Sequence, residues 1–187
     1  MKINNALMII LLLTNTLVAC SSVPLTTMLR LSSFDEQSLL TIKPSDIRAK
    51  ITINDFIDID LANTKLGLDL ESSTGSLSLQ FPLEKLTLTK NSAKSSFFSS
   101  TPASHTYLLQ LSDEALIDFK KLQRKLQASE KNSFGVSINA QLKKNLVLTA
   151  EQKAQTVFIT IEIKLYETEE FFTLIEQAEI DYGKSEL

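Results

Sequence analysis

Several residue types that carry chemistry in proteins are rare in this chain. Its 187 residues include one Cys, one His, no Trp, four Gly and four Pro. A single Cys excludes an internal disulfide framework and a cysteine-based zinc cage. Four Gly, none of them clustered, exclude the glycine-rich loops that hold phosphates. These absences disfavour enzymatic function, and we predict no catalytic residue, no bound metal and no cofactor.

The chain also lacks a strong charge of either sign. It has 19 Lys and Arg against 22 Asp and Glu, for a formal net charge of −3. Nucleic-acid binding calls for a basic face, so we expect no nucleic-acid partner. Hydrophobic residues make up 43% of the chain, which is ordinary for a globular protein and excludes a disordered or collagen-like chain. No internal repeat or second composition regime is visible, so we expect one domain.

The N-terminus carries the most specific motif in the sequence. Lys2 precedes an apolar run of eight residues, 6–13, which as a helix would rise about 12 Å. The hydrocarbon of a bilayer is about 30 Å thick, so this run fits a secretory signal and not a spanning helix. Leu17-Val18-Ala19-Cys20 follows. With an aliphatic residue three before the Cys and a small residue directly before it, this segment resembles the lipobox of bacterial lipoproteins.

The resemblance covers residues 1–22 and has implications for processing. It implies cleavage between Ala19 and Cys20, a diacylglyceryl group on the Cys20 sulfur, and an acyl chain such as palmitate on the new amino group. Ser21, where an Asp would retain a Gram-negative lipoprotein in the inner membrane, implies sorting to the outer membrane, facing the periplasm. We therefore expect residues 1–19 to be a lipoprotein signal peptide. Residues 20–34 would form a lipidated N-terminus and short tether, and residues 35–187 a single α+β domain.

Apolar and polar residues alternate along much of the mature chain. This period of two, which marks a strand with one buried face, occurs at residues 47–53, 66–70, 77–81, 134–142 and 157–165. Residues 106–111 are a further predicted strand. The Ser- and Gly-containing residues 72–75 separate two of these runs as a hairpin connection. Clean alternation is typical of an antiparallel sheet with one face in water.

Two segments have helical spacing instead. Ser112 is placed to cap a helix that continues to about Ser129. Thr168 is placed to cap a second helix, with an apolar stripe formed by Phe171, Phe172, Leu174, Ile175 and Ala178. The predicted fold class is α+β, a single antiparallel β-sheet of about five to seven strands with two helices packed on one face.

A long polar connection holds an isolated aromatic pair. Residues 90–104 include six Ser, together with Phe97 and Phe98. Connections of this length are unusual unless they are functional or disordered. Phe97 and Phe98 therefore form a candidate interaction loop that would insert into a partner groove or a membrane interface. The alternative is that the pair folds back onto the core as an anchor.

The acidic cluster near residue 58 has a simple interpretation. Asp55, Asp58 and Asp60 lie close to Asn54 and Asn63, all of which carry oxygen ligands. Their spacing does not match a calcium-binding EF-hand loop, which needs a central Gly and a closing Glu. We interpret these residues as the solvated face of a strand.

The single His and one basic stretch are the remaining candidates. His105 follows the Ser-rich segment, without the sequence context of a nucleophilic Ser, and we interpret it as solvated or locally hydrogen-bonded. The basic residues between Lys120 and Lys125 could face anionic lipid headgroups. A solvated helix face near the negative end of the helix dipole is the simpler interpretation.

These features together predict a membrane-anchored envelope lipoprotein. We expect it to be non-enzymatic, with an envelope protein as its partner, as an accessory subunit of an envelope assembly. One alternative is a carrier of lipid or another apolar ligand, which requires a deep apolar cavity. A second is a hydrolase of envelope polymers, which requires two converging carboxylates or His105 beside a Ser. A binding subunit should instead have a filled core and an exposed loop or sheet edge.

Overall fold

The computed structural model describes residues 22–72, 75–95, 100–126, 133–144 and 146–180. They form an antiparallel sheet of seven strands that is nearly barrel-shaped, together with a separate two-stranded ribbon. The strands in chain order are β1 (Arg48–Asn54), β2 (Ile59–Ser72), β3 (Gly75–Asn91), β4 (Lys94–Ser95), β5 (Ser100–Thr101), β6 (Ser104–Leu111), β7 (Ser133–Leu142), β8 (Val157–Lys164) and β9 (Phe172–Ile180). The order in the main sheet is β7-β2-β3-β6-β1-β8-β9, and β4 pairs only with β5.

The alternation in the sequence places one face of each strand in the core. In β1, between β6 and β8, Ala49, Ile51 and Ile53 are fully buried and alternate with partly buried polar residues. Buried side chains of all seven strands join one continuous hydrophobic cluster. The predicted single antiparallel sheet is therefore confirmed, at the upper end of the expected strand number.

The connections around β3 are shorter than the sequence suggests. Ser72 pairs with Gly75, as expected for a hairpin, and Gly75 has a φ of 146° that favours glycine. At the other end, Asn91 still belongs to β3 and pairs with Ser104, the first residue of β6. The expected long connection of residues 90–104 is thus largely replaced by paired strands and by the β4–β5 ribbon.

The described helices contact different parts of the sheet. The described helices are α1 (Leu25–Ser32), α2 (Glu36–Thr41), α3 (Asp113–Leu126) and the short α4 (Ala150–Lys153), with a 3₁₀ turn at Pro44–Asp46. The prediction of α3 is confirmed: the Ser112 hydroxyl accepts a hydrogen bond from the Ala115 N–H, at 3.2 Å. Phe119 of α3 packs on Phe81 of β3, with 5.1 Å between ring centroids. The Gln123 side chain of α3 donates to two backbone carbonyls at the end of α2.

The predicted second helix is wrong, because residues 172–180 form strand β9. Phe172, Ile175 and Ala178 pair with three inward-facing isoleucines of β8. Register shifts between these pairs each insert one extra residue into β9, and Gln177 has a positive φ of 45°. Two such bulges convert the strand period of two into a spacing of three, which resembles a helix. The arrangement of two helices packed on one face is accordingly not found.

Candidate functional site

The sheet does not close on itself, and the N-terminal segment (residues 22–34) lies across the opening. In the described chain β7 and β9 are the two end strands, and α1 contacts both of them. Toward β9, the buried Thr27 donates its hydroxyl to the carbonyl of Thr173. The Glu176 N–H donates to the carbonyl of Ser22, at 2.6 Å. The N-terminal segment thus protects sheet edges that would otherwise be open to strand pairing.

Aromatic and charged side chains complete this closure. On the β7 side, the Phe34 ring meets Phe134 edge-on, with 6.3 Å between centroids. On the β9 side, Arg30 pairs with Glu169 and its guanidinium lies 4.2 Å from the centre of the Phe172 ring. These contacts fix both the position and the rotation of α1.

The fixed rotation leaves an apolar face of α1 in solvent. Thr27 is buried and Leu31 packs against the core, on one side of the helix. On the opposite side Leu25, Met28 and Leu29 are 71%, 46% and 64% exposed. Their spacing of three and four places them on one stripe, which we call the apolar face of α1. Sequence reasoning treated this stretch as part of a tether, although the spacing after Pro24 was a signal for a helix.

The predicted lipidation residues come directly before this segment. Ala19, Cys20 and Ser21 lie outside the described residues. Cys20 precedes Ser22 by two positions, and two residues of extended chain span at most about 7 Å. Because the Ser22 carbonyl is bonded to β9, the predicted acceptor is separated by only two positions from a residue that is bonded to the sheet.

A second exposed feature lies on β3. The first half of this strand pairs with β2 through residues 75–82, and the second half pairs with β6 through residues 83–91. Within the described ranges, each half of β3 therefore has a ladder partner on one side only. We call residues 84–91, in the half that pairs with β6, the β3 edge. Leu86, at a register irregularity, and Leu88 are exposed apolar side chains on this edge.

The proposed interaction loop follows the β3 edge in the chain. Phe97 and Phe98 themselves are outside the described residues. The ribbon strands on either side pair Lys94 with Thr101 and Ser95 with Ser100. The ribbon follows β3 and leads into β6, so these two Phe come after the β3 edge in the chain.

Asp58, His105 and Tyr107 form a polar cluster. The Tyr107 hydroxyl donates to Asp58 Oδ1 at 2.9 Å, and His105 Nδ1 lies 3.8 Å from the same oxygen. We expected His105 to be solvated or locally hydrogen-bonded, but its side chain is largely buried, and among the described residues its Nδ1 has no hydrogen-bond partner. Burial, followed by the hydrogen bond to Asp58, raises the pKa of Tyr107 to about 12. Tyr107 therefore keeps its proton at neutral pH and donates a hydrogen bond to Asp58.

The other acidic and amide residues nearby form hydrogen bonds that hold local backbone structure. Asn54 is buried, and its Oδ1 accepts the N–H of Phe158 at 2.8 Å. The Asp60 carboxylate accepts from the Ala62 N–H and from the Asn63 side-chain amide, where β2 shifts register against β7. In the part of the chain that the structure describes, no group of three or more His, Cys, Asp or Glu residues is arranged to hold a metal ion.

The basic stretch lies on the solvent side of α3. Lys120, Lys121, Arg124 and Lys125 are all exposed, and Lys121 pairs with Asp118 three residues earlier at 2.8 Å. This arrangement fits a solvated helix face.

The surface of the described residues includes two open grooves. One, of about 600 Å³, lies between α1, α2 and the β8–β9 connection and is lined in part by Arg30, Phe34, Tyr166 and Phe172. The other, of about 490 Å³, lies on the outside of the sheet among polar side chains such as Gln80 and Asn139. Neither is a deep apolar cavity, and the barrel interior is filled by the hydrophobic cluster.

The fold and these surfaces define a small antiparallel β domain that is closed by an N-terminal helix. Comparison with known protein families, with curated proteins and with solved structures finds no significant match. Among the described helices, none has the length and apolar character needed to cross a membrane.

Proposed function

We propose that this protein is a lipid-anchored envelope protein without catalytic activity, which binds a protein partner as an accessory subunit of a larger assembly. The lipobox-like segment ending at Cys20 supports the anchor, and Ser21 supports residence in the outer membrane, facing the periplasm. Lipid chains on Cys20 would hold the domain at the membrane surface, because two or more chains give stable attachment.

The observation that carries partner binding is the β3 edge. Its backbone groups on the side away from β6 are available to an extended segment of another protein, which could add a strand there. Leu86 and Leu88 supply apolar side chains for specific packing against that segment. A filled core and an exposed edge favour a binding subunit over a carrier, which needs an empty apolar interior.

The anchor is tested on the protein isolated from membranes of the producing cell. Mass spectrometry of the N-terminal peptide should find Cys20 as the first residue with the mass of its lipid chains. Ser21→Asp should retain the lipid but move the protein to the inner-membrane fraction. An unmodified Cys20 thiol would remove the anchor from the proposal, and an unchanged location of Ser21→Asp would remove the outer-membrane assignment.

The binding surface is tested by crosslinking in intact cells, followed by identification of the crosslinked neighbours. Leu86→Lys places a charge on the β3 edge and should abolish the crosslinks to the partner, because charged residues on an edge discourage strand pairing. Leu77→Lys is the matched control, since Leu77 is also an exposed Leu of β3 but lies outside the proposed surface, in the half of the strand that pairs with β2. Equal crosslinking by both variants would exclude the β3 edge as the binding surface.

A further inference from the structure

We infer that the apolar face of α1 lies in the interfacial layer of the membrane that carries the Cys20 anchor, and so fixes the orientation of the domain. The inference rests on the lipid anchor of the proposed function and adds a second attachment to it. The occupant of this face is the lipid surface, and the face consists of Leu25, Met28 and Leu29.

The first argument is distance. At most about 7 Å of extended chain separates Cys20 from Ser22, and the Ser22 carbonyl is bonded to β9. The eight residues of α1 begin at Leu25 and extend for about 12 Å. The membrane surface that holds the lipid chains is therefore close to the whole helix.

The second argument is the chemistry of the helix. The Thr27 side of α1 is bonded to β9. The helix therefore cannot rotate to bury its exposed leucines without breaking the closure of the sheet. No residue of α1 is acidic, and its one charged residue, Arg30, is basic. A short apolar stripe without acidic residues is suited to lie in the plane of the interface, at a depth of about 5–10 Å.

A second copy of the chain is a weaker candidate than the membrane for covering the apolar face of α1. Three side chains on two helical turns form a small patch, whereas stable protein interfaces bury about 1,200–2,000 Å². A bilayer needs no matching shape, and the lipid on Cys20 already supplies the proximity.

The chain contains no Trp, so a single introduced Trp can report the environment of α1. Leu29→Trp places the reporter on the apolar face. Ile117→Trp is the matched control, because Ile117 is an apolar helix residue of α3 that is 56% exposed. Each lipidated full-length mature variant is reconstituted into phosphatidylcholine vesicles, with and without bromine on the upper part of the acyl chains. Flotation confirms that the protein is on the vesicles.

We expect Leu29→Trp to show blue-shifted emission and a loss of intensity in the brominated vesicles, while Ile117→Trp shows neither. Floating protein in which Leu29→Trp is not quenched overturns the inference and leaves the anchor intact. A blue shift without quenching also overturns it, since it indicates burial against a second copy. Quenching of both variants excludes a fixed orientation. Protein that carries no lipid on Cys20 and does not float removes the anchor and the inference together.

Discussion

Each buried polar side chain in the described part of this domain bonds to a backbone group. Thr27, Asn54 and Thr64 are the buried polar residues of the described chain. Thr27 donates to a carbonyl in β9, Asn54 accepts an N–H in β8, and Thr64 donates to the Asp60 carbonyl at 2.8 Å. An unpaired buried polar group is costly, so these bonds fix where α1, β8 and the β2 bulge must lie.

Tyr107 predicts a stability change at alkaline pH. Its pKa in the folded protein is about 12, against 10.0 for the free side chain, because burial and Asp58 favour the protonated phenol. The stabilisation is complete below about pH 10 and is lost as the pH rises through about 12, because the unfolded chain loses the proton first. We expect the free energy of unfolding to fall in this window, and Tyr107→Phe to reduce the fall. Chemical denaturation at a series of pH values measures both.

Tyr166→Phe is the control for the loss of a phenolic hydroxyl. The Tyr166 hydroxyl donates to the Ser38 carbonyl at 2.9 Å, far from Asp58 in the chain. This variant should keep the alkaline fall of the parent protein, because the Tyr107 hydroxyl and its bond to Asp58 are intact. A Tyr107→Phe profile that parallels the Tyr166→Phe profile would contradict the assignment.

The elements differ in how far the sequence predicts them, and the reason is the regularity of each backbone. β1 and β8 have no bulge where they pair with each other, so period two identifies both. β9 contains two bulges, and its apolar residues fall at the wrong spacing for a regular strand. The bulges arise from pairing with β8, which a local sequence pattern cannot show. α3 is predicted correctly because its cap, at Ser112, is local.

The candidate surfaces also differ in how far the sequence predicts them, because some depend on adjacent residues and others on strand pairing. The lipobox-like segment can be recognised from adjacent residues alone, and so can the spacing of Leu25, Met28 and Leu29. That α1 lies between β7 and β9 depends on which strands end the sheet, which no pattern within the N-terminal segment determines. The β3 edge is equally non-local, because it exists only where β2 and β6 pair with different halves of β3.

Gly67 predicts a steric constraint across three strands of the sheet. A Cβ at this position of β2 would lie 2.3 Å from Ser137 Oγ of β7 and 3.2 Å from Gln80 Nε2 of β3. We expect Gly67→Ala to lower the free energy of unfolding by about 1 kcal/mol through overpacking. Adding Ser137→Ala removes the nearest atom and should restore most of the loss, as measured by a double-mutant cycle in urea. An additive result would show that Ser137 is not the source of the constraint.

At the scale of the whole molecule, the domain is a sheet of seven strands whose closure depends on a helix. Barrels that close through strand pairing have no edges, but here the described N-terminal segment makes the last contact, through side chains and through the backbone bond between Ser22 and Glu176. The segment that completes the fold is also the segment next to the predicted lipid. In the proposed lipid-anchored protein, folding of the domain and its placement on the membrane would be coupled through the same thirteen residues, 22–34.

Thr27→Lys tests this closure. A lysine ammonium cannot be buried at the Thr27 position without a large desolvation cost, so α1 should detach from β9. Detachment exposes the free edges of β7 and β9, and we expect the lipid-free domain to associate as its concentration rises in sedimentation velocity experiments. Amide hydrogen exchange should accelerate in β9 and remain slow in β1, at the centre of the sheet. Thr26→Lys is the control, because Thr26 is exposed and one position away, and it should remain monomeric. Monomeric behaviour and unchanged exchange in Thr27→Lys would mean that the sheet does not need α1 to protect its edges.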